Sequence, residues 1–170
     1  MQKLNNLSKI ILAISVLFFS FWVGGYLLRQ MVIYQLFEPD NLALRENYNA
    51  QNLHDVFLTI LPLFVFNIAT YLCFIITLIL FLFVSKISLK NDGWLFISVL
   101  IIGICAPFEI FLIIKDYKIS KLIYSGIFDS NNVFILVKER LTILSSFSLI
   151  EIFSFIGVVF LCILQPFKKS

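Results

Sequence analysis

Four long stretches of apolar residues limit the fold of this chain more than any other feature. They cover residues 10–28, 56–84, 94–114 and 141–164, approximately. Each is long enough to cross the hydrocarbon core of a bilayer, which takes about 20 helical residues. Inside that core every backbone polar group needs an internal partner, so helices or a closed barrel are the available structures. The stretches are apolar on every side rather than alternating, and this pattern predicts helices.

The overall composition agrees with a lipid environment. Hydrophobic residues make up 61% of the 170 residues, charged residues make up 14%, and the mean hydropathy is +1.00. A soluble domain is typically about 45–50% apolar and about 25% charged. We therefore predict a single transmembrane domain over residues 1–170, an integral multi-pass protein whose solvent is the lipid bilayer.

The connections between the stretches predict an all-α four-helix bundle made of two helical hairpins. The connection at residues 85–93 is short, whereas residues 37–55 and 115–141 are longer and polar or amphipathic. The short connection and both termini are then expected on one side of the membrane. The amphipathic third connection predicts that helices extend beyond the opposite membrane face, and Asn49 or Asn52 is expected to cap the second helix. Lysine and arginine are nearly balanced between the two sides, so the positive-inside rule leaves the orientation open.

Small residues in the first helix predict a close contact between helices. Ala13, Ser20 and Gly24 share one helical face, because offsets of 7 and 11 residues return to nearly the same angle. Gly25 follows directly. Small side chains let a neighbouring backbone approach closely inside a membrane. We therefore predict that Ser20, Gly24 and Gly25 lie at a helix-packing face.

The second helix carries a polar face. Asn67, Thr70, Tyr71 and Thr77 lie within an arc of about 120°, taken at 100° per residue. We expect this face to point into the bundle. Its polar groups are interpreted either as hydrogen bonds that join helices or as the lining of a small pathway.

Two carboxylates lie within the third and fourth apolar stretches. Glu109 comes six residues before Lys115, about 9 Å along a helix, and Glu151 comes eleven residues after Arg140, about 16 Å along. Ser148 lies on the same polar side as Glu151. An acid at such a depth is either protonated or paired with a cation or a hydrogen-bond donor.

Arg29 is the predicted partner of Glu109. The first helix ends at the same membrane surface, and a guanidinium group on a long stem can reach back toward the interior. Pro107 lies two residues before Glu109, removes a backbone N–H and is expected to bend or repack the helix there. The sequence thus predicts a polar pocket with a freed carbonyl and a carboxylate.

Cysteine and histidine usage excludes several kinds of chemistry. Cys73, Cys105 and Cys162 form no C-x-x-C pair, and the single histidine, His54, provides neither two axial haem ligands nor a zinc site. Phosphate-loop, dinucleotide-binding and nucleophile-elbow motifs are missing from the sequence. The net charge of +3 is spread along the membrane flanks, which gives no reason to expect a nucleic acid partner. We predict no cofactor and no metal, and an enzyme is the least favoured class.

Two functional hypotheses remain. The favoured one is a non-catalytic subunit, scaffold or assembly factor of a larger membrane complex, with other subunits or copies of the chain itself as partners. The alternative is a small protein that conducts, or is coupled to, protons or cations. In it Glu109 and Glu151 carry the ion, and Asn67, Tyr71 and Ser148 provide further hydrogen-bonding stations.

Overall fold

The described part of the chain forms five α-helices. The computed structural model describes residues 5–39, 42–49, 52–85, 92–125, 129–143, 145–164 and 166, without the side chains of 130 and 145–149. No β-strand occurs within these ranges. In chain order the helices are α1 (Asn6–Tyr34), α2 (Leu53–Ser85), α3 (Gly93–Tyr124), α4 (Ser130–Thr142) and α5 (Ser145–Leu164).

Three of these helices are long and apolar enough to cross a membrane. They are α1, α2 and α3, with 29, 33 and 32 residues and mean hydropathies of 2.2, 2.6 and 2.6 in their most apolar windows. The apolar part of α5 with described side chains, Ile150–Leu164, is shorter. The all-helical prediction is confirmed, and the membrane prediction is supported by three helices. The four-helix bundle and its two hairpins stay predictions.

Helix α3 extends well past its apolar stretch. The sequence predicted a span ending near residue 114, with the helix continuing outward, and α3 ends at Tyr124. The buried positions keep a spacing of three and four residues through Leu112, Asp116, Ile119 and Ile123. This spacing places the buried residues on one face of α3, which stays packed against the rest of the molecule beyond residue 114, where the other faces become polar.

The fourth apolar stretch is divided between two helices, α4 and α5. Asp129 caps α4, since its side chain accepts hydrogen bonds from the backbone N–H of Asn131 at 3.0 Å and from Nδ2 of Asn132 at 2.8 Å. Ile143 then adopts an extended conformation with φ −66° and ψ 124°, which ends α4. The predicted helix over 141–164 is therefore split, and Arg140 belongs to a different helix from Glu151.

A pair of asparagines fixes the chain ahead of α2. The side-chain oxygen of Asn52 accepts from the backbone N–H of Asn49 at 2.8 Å, and the reverse bond measures 3.0 Å. The backbone N–H of Leu53 donates to the carbonyl of Asn49 at 3.0 Å. The two candidate capping residues thus act together at the start of α2.

Two apolar clusters divide the bundle along its length. The first joins the end of α1, the start of α2, the end of α3 and α4, and it includes the fully buried Phe57, Ile119 and Val137. The second joins the middle of α1, α2, α3 and α5 around Trp22 and Phe155. Arg29 on α1, Asn67 on α2, and Glu109 and Asp116 on α3 lie between the positions that form these two clusters.

Candidate functional site

The inward face of α1 follows a seven-residue repeat. Ser8, Ser15, Trp22 and Arg29 are separated by seven residues each, and none is more than 2% exposed. Side chains seven residues apart lie on nearly the same face of a helix. The sequence therefore directs both Trp22 and Arg29 toward the interior of the bundle.

Asp116 joins three helices through two arginines. Its carboxylate accepts a hydrogen bond from Nη1 of Arg29 on α1 and one at 3.1 Å from Nε of Arg140 on α4. All three side chains are 3% exposed or less. The guanidinium of Arg29 also lies 5.1 Å from the ring centre of Tyr26 and 5.7 Å from that of Phe64. The cation is thus held by an anion and by two aromatic faces.

The charge of Arg140 is maintained despite its burial. Burial by itself lowers the pKa of an arginine, because a charged group is less stable away from water. The negative charge of Asp116, with smaller contributions from Tyr26 and Glu109, outweighs this effect. The pKa of Arg140 is therefore raised above its usual value. Arg140 therefore acts as a permanent cation in its pair with Asp116.

Glu109 is bonded to tryptophan rather than to arginine. Its Oε1 accepts a hydrogen bond of 3.3 Å from Nε1 of Trp22, and the side chain is 1% exposed. The predicted ion pair between Arg29 and Glu109 is wrong. Asp116 lies two turns farther along α3, at the level of Arg29, and takes the guanidinium instead.

Glu151 lies beside Glu109. The two carboxyl groups interact electrostatically and are close enough to share a hydrogen bond when one of them is protonated, and neither oxygen of Glu151 accepts from any other donor among the residues described. Glu151 lines a crevice of about 10 Å³ with Trp22, Tyr26 and Phe155. That space is about the minimum for one water molecule.

The buried layer holds unequal numbers of acidic and basic groups. Glu109, Asp116 and Glu151 supply three carboxyl groups, and Arg29 and Arg140 supply two guanidinium groups. Uncompensated charge is costly in a low-dielectric interior. One proton on the two glutamates makes this set of five electrically neutral.

Asn67 and Tyr71 of α2 lie next to α1, at the level of Gly25 and Trp22. The amide oxygen of Asn67 lies 2.6 Å from where a Cβ atom on Gly25 would be, so Gly25 permits the two helices to approach closely. Within the described parts of the chain, neither amide atom of Asn67 has a hydrogen-bond partner. The ring of Tyr71 packs against Trp22, with 5.2 Å between the ring centres.

The threonines of α2 bond to their own helix. The hydroxyl of Thr70 donates to the carbonyl of Phe66 at 2.8 Å, and that of Thr77 donates to the carbonyl of Cys73 at 2.7 Å. Such local bonds leave the hydroxyl hydrogen unavailable to a neighbouring helix. These two residues therefore neither donate to another helix nor supply donors for a pathway.

Several predicted packing residues lie elsewhere. Ser20 is exposed and donates to the carbonyl of Val16 at 2.9 Å, while a Cβ atom on Gly24 would meet open space. The seven-residue repeat of buried positions turns Ser20 and Gly24 outward in the single chain, and a packing role for this face stays a prediction. Pro107 is exposed within α3, and the helix continues through it. Ser148 belongs to α5, but its side chain lies outside the described residues.

A large apolar cavity lies beyond the second cluster, on the side away from the charges. Its volume is about 350 Å³, and it is lined by parts of α1, α2, α3 and α5. Phe81, Ile102 and Val158 are typical of its lining, and the hydroxyl groups are those of Ser15 and Ser98. Its lining offers few polar partners that could hold a water molecule. The charged layer is therefore separated from this end of the bundle by hydrocarbon.

Sequence reasoning missed three residues that take part in the buried hydrogen bonds of the charged groups: Trp22, Asp116 and Arg140. A seven-residue offset would have identified the first two, since Trp22 precedes Arg29 by seven and Asp116 follows Glu109 by seven. Arg140 follows the buried Val137 by three residues on α4, and a helical pattern in the third connection was the available signal.

In comparisons with known proteins, no family model, no curated protein and no solved structure matches this chain.

Proposed function

We propose that this chain is a non-catalytic component of a larger membrane complex, acting as a subunit, scaffold or assembly factor. In this proposal α5 is the fourth crossing and completes two helical hairpins. Both termini lie on one side of the membrane. The partners are the bilayer lipids and other subunits or copies of the same chain.

The bonding of Asp116 is the observation that carries this proposal. Its two oxygens bond to arginines from two other helices, which is a geometry that fastens helices together. Removing one partner from such a buried set is costly, so the set favours a fixed arrangement. A fixed bundle suits a structural component better than a transporter, which must move between states.

The interior beyond the charges also supports a structural role. A conducting protein needs polar groups or water across the membrane thickness. The cavity next to the second apolar cluster is lined mainly by side chains such as Phe74, Phe81 and Ile102. Hydrocarbon at this position opposes the passage of ions through a single copy of the chain.

A proton-carrying function is the second candidate, and Glu109 and Glu151 favour it. They are buried side by side and close enough to share a proton, and Oε2 of Glu109 and both oxygens of Glu151 accept from no other donor among the described residues. Ionisable groups of this kind inside membranes are often functional. In this reading the path is completed between copies of the chain or by a partner subunit.

Purification at native abundance tests the first proposal. The tagged protein is extracted in a mild detergent, the particle is sized, and co-purifying chains are identified by mass spectrometry. We expect a fixed ratio of distinct membrane proteins. A particle that contains this chain alone would contradict the role as a subunit of a mixed complex.

Proton flux in liposomes tests the second candidate. Glu151→Gln removes the acid but keeps the shape, and Glu46→Gln is the matched control because Glu46 is exposed in the connection before α2. If the chain has a structural role, both variants and the original protein give the same flux as empty liposomes. A flux that Glu151→Gln abolishes and Glu46→Gln retains would overturn the structural proposal in favour of proton transport.

A further inference from the structure

A groove of about 490 Å³ lies between α2 and α3, near the end of α3. Leu61, Val65 and Leu72 form its α2 side, and their offsets of four and seven residues place them on one helical face. Tyr117 and Lys121 contribute from α3, and Tyr124 lies at the last residue of that helix.

The groove has one polar and one apolar end. The start of α2 and the end of α3 meet in the first apolar cluster, so the two helices run in opposite directions. Leu61 therefore lies toward the end that holds Lys121 and Tyr124. Leu72 lies eleven residues farther along α2, about 16 Å deeper at 1.5 Å per residue.

The polar end presents side chains typical of a membrane interface. Tyr117 is 59% exposed and Tyr124 is 84% exposed. Tyrosine is enriched where hydrocarbon meets the lipid headgroups. Lys121 is exposed and forms no ion pair within the described ranges. Six residues earlier, Lys115 is already bonded to Glu139 at 2.7 Å, so Lys121 is the lysine of this groove that is available to an anion.

We propose that this groove binds one anionic phospholipid. The phosphate contacts the ammonium group of Lys121 beside the tyrosine hydroxyls, and an acyl chain lies along the apolar face from Leu61 to Leu72. A cation at one end and hydrocarbon at the other match the two parts of such a lipid. Basic sites between membrane helices are a common way of holding anionic headgroups. The inference does not depend on whether the chain is a subunit or a proton carrier.

Native mass spectrometry of the delipidated full chain tests the headgroup contact. The protein is titrated with phosphatidylglycerol or with phosphatidylcholine that has the same acyl chains. We expect the first lipid to bind more tightly, and Lys121→Gln to weaken it about fivefold while phosphatidylcholine binding is unchanged. Lys118→Gln is the matched control, because Lys118 is also exposed on α3 but does not line the groove.

A second pair of variants tests the acyl-chain contact. Ala69 lines the groove, so Ala69→Phe fills it and is expected to weaken both lipids. Ala13→Phe makes the same enlargement at an exposed position of α1 outside the groove and is expected to change neither. Equal losses from Lys118→Gln and Lys121→Gln, or the same affinity for both lipids in the unchanged protein, would overturn the proposal. Equal effects of Ala69→Phe and Ala13→Phe would overturn the placement of the acyl chain.

Discussion

Arg29 bonds to Asp116, which lies seven residues beyond the carboxylate that bonds to Trp22. The contacts Trp22–Glu109 and Arg29–Asp116 both join residues separated by 87 positions in the sequence. Equal separations mean that α1 and α3 run in the same direction, and the two contacts are about 10 Å apart along the helices. The buried polar groups therefore repeat with the helical turns of α1 and α3 and do not meet at one point.

Loss of the Asp116 carboxylate should strongly destabilise the protein. Asp116→Ala leaves two buried guanidinium groups without their anion, and we expect a loss of about 3–5 kcal/mol in the free energy of unfolding. Unfolding in detergent, followed by circular dichroism, measures this loss. The double variant Arg29→Ala/Asp116→Ala should lose less than the sum of the single variants.

An exposed ion pair provides the control for this experiment. Arg45 and Glu38 are 3.9 Å apart, and their side chains are 41% and 49% exposed. Glu38→Ala should therefore cost about 1 kcal/mol or less. If Arg29→Ala is instead additive with Asp116→Ala and non-additive with Glu109→Ala, the pairing described here is incorrect.

Adjacent glycines in α1 should respond differently to alanine. A Cβ atom at Gly25 would lie 2.6 Å from Oδ1 of Asn67, whereas one at Gly24 would meet open space. Gly25→Ala should therefore destabilise the protein by about 1–3 kcal/mol through overpacking. Gly24→Ala should be neutral or stabilising by up to about 1 kcal/mol, because alanine favours helix. Thermal unfolding of both variants in one detergent checks this, and equal shifts would argue against the close contact of α1 with α2.

The two tryptophans should also differ. Trp22→Phe removes the donor to Glu109, a bond to a charged or acidic group that is worth about 1.5–3 kcal/mol. The indole N–H of Trp94 has no hydrogen-bond partner in the described part of the chain, so Trp94→Phe removes no bond. We expect a clearly lower midpoint of chemical unfolding for Trp22→Phe. A larger loss for Trp94→Phe would contradict the assigned bond.

The attachment of α4 should depend on its buried side. Leu141 is 4% exposed and packs in the first apolar cluster, whereas Ile135 is 59% exposed. Leu141→Ala should cost about 2–5 kcal/mol of local or global stability. Hydrogen exchange of the α4 amides should become faster in this variant and stay unchanged in Ile135→Ala. Faster exchange in Ile135→Ala as well would show that the outer side of α4 is also packed.

The long apolar runs made the helices predictable. They set the helical class, the positions of α1, α2 and α3 and the extension of α3 past its apolar stretch, because lipid admits few backbone arrangements. The break at Ile143 was not predictable from hydropathy. The chain is helical on both sides of it, in α4 and α5, and the extended conformation of Ile143 leaves almost no compositional signal.

The choice of partners was less predictable than the helices. Arg29 and Glu109 are each buried, but the sequence alone does not give the relative shift of α1 along α3. A shift of two turns exchanges Glu109 for Asp116 as the partner of Arg29. Small residues were similarly ambiguous, because Gly24 and Gly25 are neighbours and only tertiary packing decides which of them turns inward.

The 87-residue separation between Arg29 and Asp116 also constrains how the protein is made. At about 5–20 residues per second, synthesis reaches Asp116 roughly 4–17 s after Arg29. During that interval α1 enters the bilayer with a cation whose anion does not yet exist. Arg29 must then extend toward the headgroups, as arginine near a helix end does. Its inward position is gained only after α3 arrives, so closure of the bundle is a late step of biogenesis.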